Sequence, residues 1–134
     1  MNEQIVILDF GSQYTQVIAR RIRECNVHSR IYPFGVSPAT LRADGVVGVI
    51  LSGGPSSVKA KGSPHPHPGV FAMGLPVLGI CYGMQLIADL LGGKVERSED
   101  REYGTANIRG HWGSPLFLGI EEFRHDMEIP VWMS

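Results

Sequence analysis

Cys81 stands between an apolar run and an amphipathic run, with Gly79 two residues before it and Gly83 two residues after. Pro76 to Ile80 is short enough for a buried strand. Met84, Ile87, Ala88 and Leu91 follow at helical spacing and are stopped by Gly92-Gly93. A cysteine at such a junction has the pattern of a nucleophile elbow, where hydrolases more often carry serine. So tight a turn predicts a strained backbone at the nucleophile, with the flanking glycines letting strand and helix pack without clash. The sulfur is then presented at the C-terminal edge of a sheet. It also sits at the start of a helix, the end that stabilises negative charge. The competing reading is a buried structural cysteine at a strand end. A lone Gly-x-Cys-x-Gly leaves the two about even; the longer run Gly79-Ile80-Cys81-Tyr82-Gly83-Met84-Gln85 favours the nucleophile.

Ser52-Gly53-Gly54-Pro55 is the second candidate. It follows Val46 to Leu51, an apolar run that reads as a central strand of a parallel sheet. The C-terminal ends of such strands converge on a ligand crevice. Two glycines there let the backbone approach a substrate and point amide hydrogens at it. Taken alone, the four residues are a plain turn. Beside an elbow nucleophile they become a candidate oxyanion hole, with the Gly54 N–H paired to the Tyr82 N–H.

A thiol hydrolase also needs a base, usually histidine. His28 falls in an edge strand, His65 and His67 in a proline-rich loop, and His111 and His125 in the irregular C-terminal third. None carries a motif that marks a base. His65-x-His67 has two metal ligands and no obvious third, so no metal site is expected. Asp9, at a strand end, is the best-placed carboxylate and can also be read as a turn cap.

The elements that must position these residues are legible from the pattern. Ile5 to Leu8 reads as a buried strand, and Phe10 to Gln13 as a turn. Tyr14 to Cys25 reads as an amphipathic helix with Val17, Ile18, Ile22 and Cys25 on its apolar face. Val27 to Tyr32 is a second, more exposed strand. Ser37-Pro38 starts a short helix through Arg42. Ser56 to Pro68 is a polar, proline-rich loop, and Pro68 to Met73 a short helix before the elbow strand. Strand–helix alternation as far as Gly93 predicts a mostly parallel α/β sheet with helices on both faces. Lys94 to Arg97, Tyr103 to Ile108 and Ile129 to Met133 read as strands, forming an antiparallel extension on one edge.

The 134 residues predict one domain. A net charge of −1, with 12 Lys+Arg against 13 Asp+Glu, gives no basic excess for nucleic acid or an anionic membrane. Arg20, Arg21 and Arg23 read as a solvated helix face. No apolar run reaches membrane-spanning length, and Met1-Asn2-Glu3-Gln4 does not begin a signal peptide. Two cysteines make no disulfide framework, which fits a reducing cytoplasm.

These residues resemble the class I, triad-type glutamine amidotransferases over the whole chain. The Gly79 to Gln85 elbow and the Ser52 to Pro55 turn are the family's general marks. Asp9-Phe10-Gly11-Ser12-Gln13-Tyr14-Thr15-Gln16, Ile50 to Pro55, Arg101-Glu102-Tyr103-Gly104 and Val131-Trp132-Met133-Ser134 narrow the likeness to the branch serving GMP biosynthesis. The resemblance implies a flavodoxin-like fold. It implies that Cys81 attacks the carboxamide carbon of glutamine, that the amides of Gly54 and Tyr82 hold the oxyanion, and that Gly53, Gln85 and Ser134 contact the substrate. It further implies no cofactor in this chain. A partner ATP-pyrophosphatase (synthetase) unit, fused or separate, would use ATP and Mg2+ to aminate XMP to GMP with the released ammonia. The family's base lies in a His-x-Glu motif beyond the point matching Ser134. The expectation is therefore a domain truncated at its C-terminus and inactive alone. Three other readings stay open: a glutaminase for another synthetase, such as anthranilate or carbamoyl phosphate; a different thiol hydrolase on a similar fold; and a non-catalytic docking or regulatory fragment.

Overall fold

The computed structural model describes residues 3–96, 104–110, 113–121, 125 and 127–133. The chain divides into two compact units, Met1–Val95 and Glu96–Ser134.

The first unit is built on four parallel strands: β1 (Gln4–Asp9), β2 (His28–Pro33), β3 (Val46–Leu51) and β4 (Val77–Gly79). Their order across the sheet is β2-β1-β3-β4. Helices α1 (Thr15–Glu24) and α2 (Pro38–Ala43) and a 3-10 helix (Pro68–Ala72) make the crossovers, and α3 (Tyr82–Leu90) follows β4. The chain leaves β1 toward one edge of the sheet and returns to build β3 and β4 toward the other. The switch of direction falls between β1 and β3, which is where an open α/β sheet forms a crevice at its C-terminal edge. The turns after Asp9 and Leu51 both leave from that edge.

Alternation along the strands sorts the core into two faces. Val6 and Leu8 of β1 pair with Val49 and Leu51 of β3. These four join Leu41 of α2, Val70 of the 3-10 helix, and Tyr82 and Leu86 of α3 in one buried cluster. Ile5 points the other way, beside Ser29 in the register, and the Ser29 hydroxyl donates to the Ala19 carbonyl of α1 at 2.8 Å. Helix α1 thus covers one face, and α2, the 3-10 helix and α3 the other. Six residues are too few for α2 to hold itself together in water. Burial of Leu41 contributes about 2 kcal/mol. The Ser37 hydroxyl, accepting from the Thr40 N–H, adds about 1 kcal/mol.

At the β2 edge the Tyr32 hydroxyl donates to the Asp44 carboxylate. Burial, and then this bond, hold the phenol above its ordinary 10.

The second unit contains β5 (Gly104–Ile108) and β6 (Ile129–Met133), paired antiparallel from Gly104 opposite Met133 to Ile108 opposite Ile129. Ser114 caps a one-turn 3-10 helix, Pro115–Phe117. Arg109 and Glu128 approach to 3.6 Å on an exposed surface, a pair worth little.

Several expectations need correction. Among the described residues, the two antiparallel strands form a two-stranded sheet of their own. Lys94 to Glu96 is irregular, and Arg97 lies outside the described residues. In α1 the buried residues are Thr15 and Ala19, while Val17 and Cys25 are exposed. Val27 is exposed ahead of β2. In α3 the sheet-facing residues are Tyr82, Gly83 and Leu86, whereas Met84 is 59% exposed and Leu91 63%. Helical spacing alone leaves the rotation of a short helix undetermined when apolar residues occur on more than one face. In α3 the turn at Cys81 sets that rotation.

Candidate active site

Cys81 has φ +53° and ψ −111° and caps the N-terminus of α3. A non-glycine residue in this region carries strain of about 1–3 kcal/mol, so its surroundings must hold it there. Ile80 N–H donates to Leu51 O at 3.0 Å, Gly83 N–H to Ile80 O at 2.9 Å, and Gln85 N–H to Cys81 O at 3.2 Å. These bonds clamp the turn between β3 and α3. The glycines do what their spacing predicts. A Cβ on Gly79 would sit 2.6 Å from the Gly83 carbonyl oxygen and 2.7 Å from the Ile87 side chain. A Cβ on Gly83 would collide with the Leu51 carbonyl. The thiol itself is exposed, which removes the reading of a buried structural cysteine.

The Ser52–Pro55 turn lies against the elbow. A Cβ on Gly53 would meet the Cys81 Cβ at 3.4 Å and the Ser12 hydroxyl at 3.7 Å, which places the Gly53 backbone within van der Waals reach of Cys81. Gly54 is backed by the Phe10 carbonyl, with which any Cβ there would collide. A bulky residue at Gly54 therefore disturbs packing as well as an amide donor. Among the described residues, neither the Gly54 N–H nor the Tyr82 N–H donates to a protein acceptor, which leaves both available to a ligand.

Four contacts hold this arrangement that the sequence pattern did not single out. Ser52 is fully buried, accepts from Phe10 N–H at 3.0 Å and donates to Gly53 O at 3.0 Å. The Tyr82 ring, 1% exposed, packs 5.7 Å from the Phe10 ring, and its hydroxyl donates to Pro64 O at 2.7 Å. That bond ties the long 56–67 loop to the residue after Cys81. A serine preceding Gly-Gly at a strand end is a weak signal for the first two; nothing local signals the two made by Tyr82.

A family model described as glutamine amidotransferase class-I matches residues 6–132. The chain belongs to that family. It is 50% identical over 133 residues to a GMP synthase [glutamine-hydrolyzing] of Maridesulfovibrio salexigens, covering 99% of this chain and 25% of that protein. It is 51% identical over 136 residues to the protein of the same description in Methylococcus capsulatus, covering 98% and 26%. The chain thus spans about a quarter of the length of these curated relatives. Among solved structures, that of a putative GMP synthase subunit from Thermoplasma acidophilum matches with a TM-score of 0.77 and 29% identity, over 98% of this chain and 63% of that one.

The other residues expected in an amidotransferase site fall as follows. Gln85 is half-buried on α3, one turn after Cys81 and hence on the same side of the helix. Ser134 lies outside the described residues. Asp9 caps the turn after β1, its carboxylate accepting from Gly11 N–H at 2.8 Å and from the Thr15 hydroxyl at 3.4 Å. His28 opens β2, at the N-terminal edge of the sheet and three strands from β4. His65 Nδ1 engages Ser63 O at 2.8 Å, and His67 Nδ1 accepts from Gly69 N–H at 2.9 Å as the cap of the 3-10 helix. His125 is exposed in the second unit beside Glu121; His111 lies outside the described residues. Among the described residues no cluster of three or more His, Cys, Asp and Glu could hold a metal ion. Nor is any helix of theirs long and apolar enough to cross a membrane.

Proposed function

We propose that this amidotransferase chain carries the nucleophile and oxyanion hole of a glutaminase serving GMP synthesis. Cys81 Sγ attacks the side-chain carboxamide carbon of glutamine, and the oxyanion forms against the N–H groups of Gly54 and Tyr82. Ammonia leaves with one added proton, a γ-glutamyl thioester remains, and water releases glutamate. Gly53 gives the carboxamide room to approach, while Gln85 and Ser134 contact the rest of the amino acid. No cofactor is needed for these steps. The ammonia passes to an ATP-pyrophosphatase (synthetase) unit, on the same polypeptide or a separate one, where ATP and Mg2+ activate XMP for amination to GMP. The site of action is the cytoplasm.

The observation that carries this reading is the exposed Cys81 at φ +53°, at the head of a helix and against the bare backbone of Gly53. The acceptor is supported by the relatives described as GMP synthase. The proposal takes its base from outside residues 1–134, because the sequence contains no His-x-Glu. Protonating the leaving ammonia and activating the hydrolytic water both need that group. Residues 1–134 are thus proposed as part of a longer glutaminase domain, inactive on their own.

Glutamine-dependent ammonia release tests this, measured for the 134-residue chain and for the longer parent, each with and without the synthetase unit. The parent releases ammonia in a Cys81-dependent way and the short chain does not. Ammonia release by the parent that survives Cys81→Ala overturns the nucleophile. Robust activity of the short chain overturns the assignment of the base. Amination of chorismate or production of carbamoyl phosphate, rather than amination of XMP, would reassign the acceptor.

A further inference from the structure

Gly53 and Gly54 bring the backbone close to Cys81, but the freedom that allows this also lets the peptide between them rotate. The Gly53 carbonyl and the Gly54 N–H belong to one planar trans peptide and point in opposite directions. Half a turn of that plane would put a carbonyl oxygen where an N–H must meet developing negative charge. A stabilising contact would become a repulsive one.

Ser52 stands where it can prevent this. Its side chain is fully buried, and its hydroxyl donates to the Gly53 carbonyl at 3.0 Å. The same hydroxyl oxygen accepts from Phe10 N–H at 3.0 Å, and Ser52 N–H donates to Leu8 O at 3.2 Å. The hydroxyl is therefore anchored to the end of β1, and its one proton is committed to the Gly53 oxygen. On the far side of the peptide, Gly54 rests against the Phe10 carbonyl. We infer that Ser52 is a positioning residue: its hydroxyl fixes the Gly53–Gly54 peptide plane and so holds the Gly54 N–H toward the oxyanion. This rests on the proposed acyl-transfer role of Cys81.

The inference separates two reactions of one sulfur. Acylation by the γ-(p-nitrophenyl) ester of glutamate passes through a tetrahedral oxyanion: the S–C bond forms, the C–O bond breaks, p-nitrophenolate leaves with the electron pair, and the thiol proton goes to solvent. That leaving group needs no protonation, so the burst, read on the longer parent, reports acylation without the step that protonates ammonia. Alkylation by iodoacetamide is a displacement that forms no oxyanion. The p-nitrophenolate burst is measured with the Cys81→Ser background subtracted, and alkylation is mapped to the Cys81 peptide.

Ser52→Ala is expected to slow the burst by about 10–100-fold and to leave Cys81 alkylation within about twofold. Ser29→Ala is the control, since it also removes a fully buried hydroxyl that donates to a backbone carbonyl, but in the edge strand β2 against α1, away from the Ser52–Pro55 turn. It should change neither rate. If Ser52→Ala does not fold, Ser52→Cys fills the same place with a weak donor and is expected to slow the burst in the same sense. A folded Ser52 variant with an unchanged burst overturns the inference, as does one in which acylation and alkylation fall together. A wild-type parent with no Cys81-dependent burst overturns the acyl-transfer reading itself.

Discussion

Cys25 and Cys81 are both free and both exposed, yet they stand at opposite ends of helices. Cys25 is the C-cap of α1 at φ −85°, its N–H bonded to Ile22 O at 3.0 Å. Cys81 is the N-cap of α3 at φ +53°. The difference is one of backbone, not of solvent access. A helix end leaves carbonyl oxygens unsatisfied and opposes negative charge; a helix start leaves N–H groups unsatisfied and favours it. The expectation that Cys25 packs on the apolar face of α1 fails. Any contrast in reactivity between the two thiols must therefore come from the elbow and its amides.

The largest test of that contrast is substitution in the longer parent. Cys81→Ala should lower glutamine-dependent ammonia release by roughly 10⁴-fold or more, while Cys25→Ser should leave it within about twofold. Equal losses would break the comparison.

The next test removes the turn and keeps the thiol. Gly83→Ala drives a Cβ into the Leu51 carbonyl, and overpacking against backbone costs about 3 kcal/mol. The melting temperature should fall by several degrees or more. Gly92→Ala also costs stability, because Gly92 has φ +87°, but it meets no atom within 4 Å; about 1 kcal/mol is expected. A Gly83→Ala chain as stable as wild type would show that the strand and helix at the elbow are not in tight contact.

Alkylation reads the contrast directly. Iodoacetamide at limiting dose should label Cys81 before Cys25, by about tenfold, as read by peptide mapping of the folded chain. Equal labelling would mean that exposure alone governs both thiols. The smallest effect is expected from Tyr82→Phe, which keeps the buried ring and removes the bond to Pro64 O. Its loss should cost about 1 kcal/mol and increase protease cutting within residues 56–67.

Residues separated by a few positions made much of the fold and the elbow legible. Apolar runs gave the strands, Ser37-Pro38 gave the start of α2, and Gly79, Cys81 and Gly83 gave a turn whose demand for small residues is local and steric. The Gly53-Gly54 pair at the C-terminal end of a central strand supplied a candidate partner for Cys81 in Gly54, on the far side of a long loop, a 3-10 helix and a strand. It could not say what holds Gly54 in place. Patterning failed where a choice between faces had to be made: Met84 and Leu91 are apolar and correctly spaced, but Tyr82, Gly83 and Leu86 face the sheet.

By itself, the sequence determined that a cysteine would sit at a strand–helix turn of a parallel α/β sheet, because backbone sterics and hydrophobic periodicity act over short distances. The tertiary structure decided the rest. The strand order β2-β1-β3-β4 sets the ends of β1, β3 and β4 along one edge. Only there can the Ser52 hydroxyl join Phe10 to Gly53, the Phe10 carbonyl back Gly54, and the Tyr82 hydroxyl reach Pro64. These are contacts between residues 10, 52–54, 64 and 82, and they exist once the strands have assembled in that order, since no local propensity encodes a meeting across so many positions of chain.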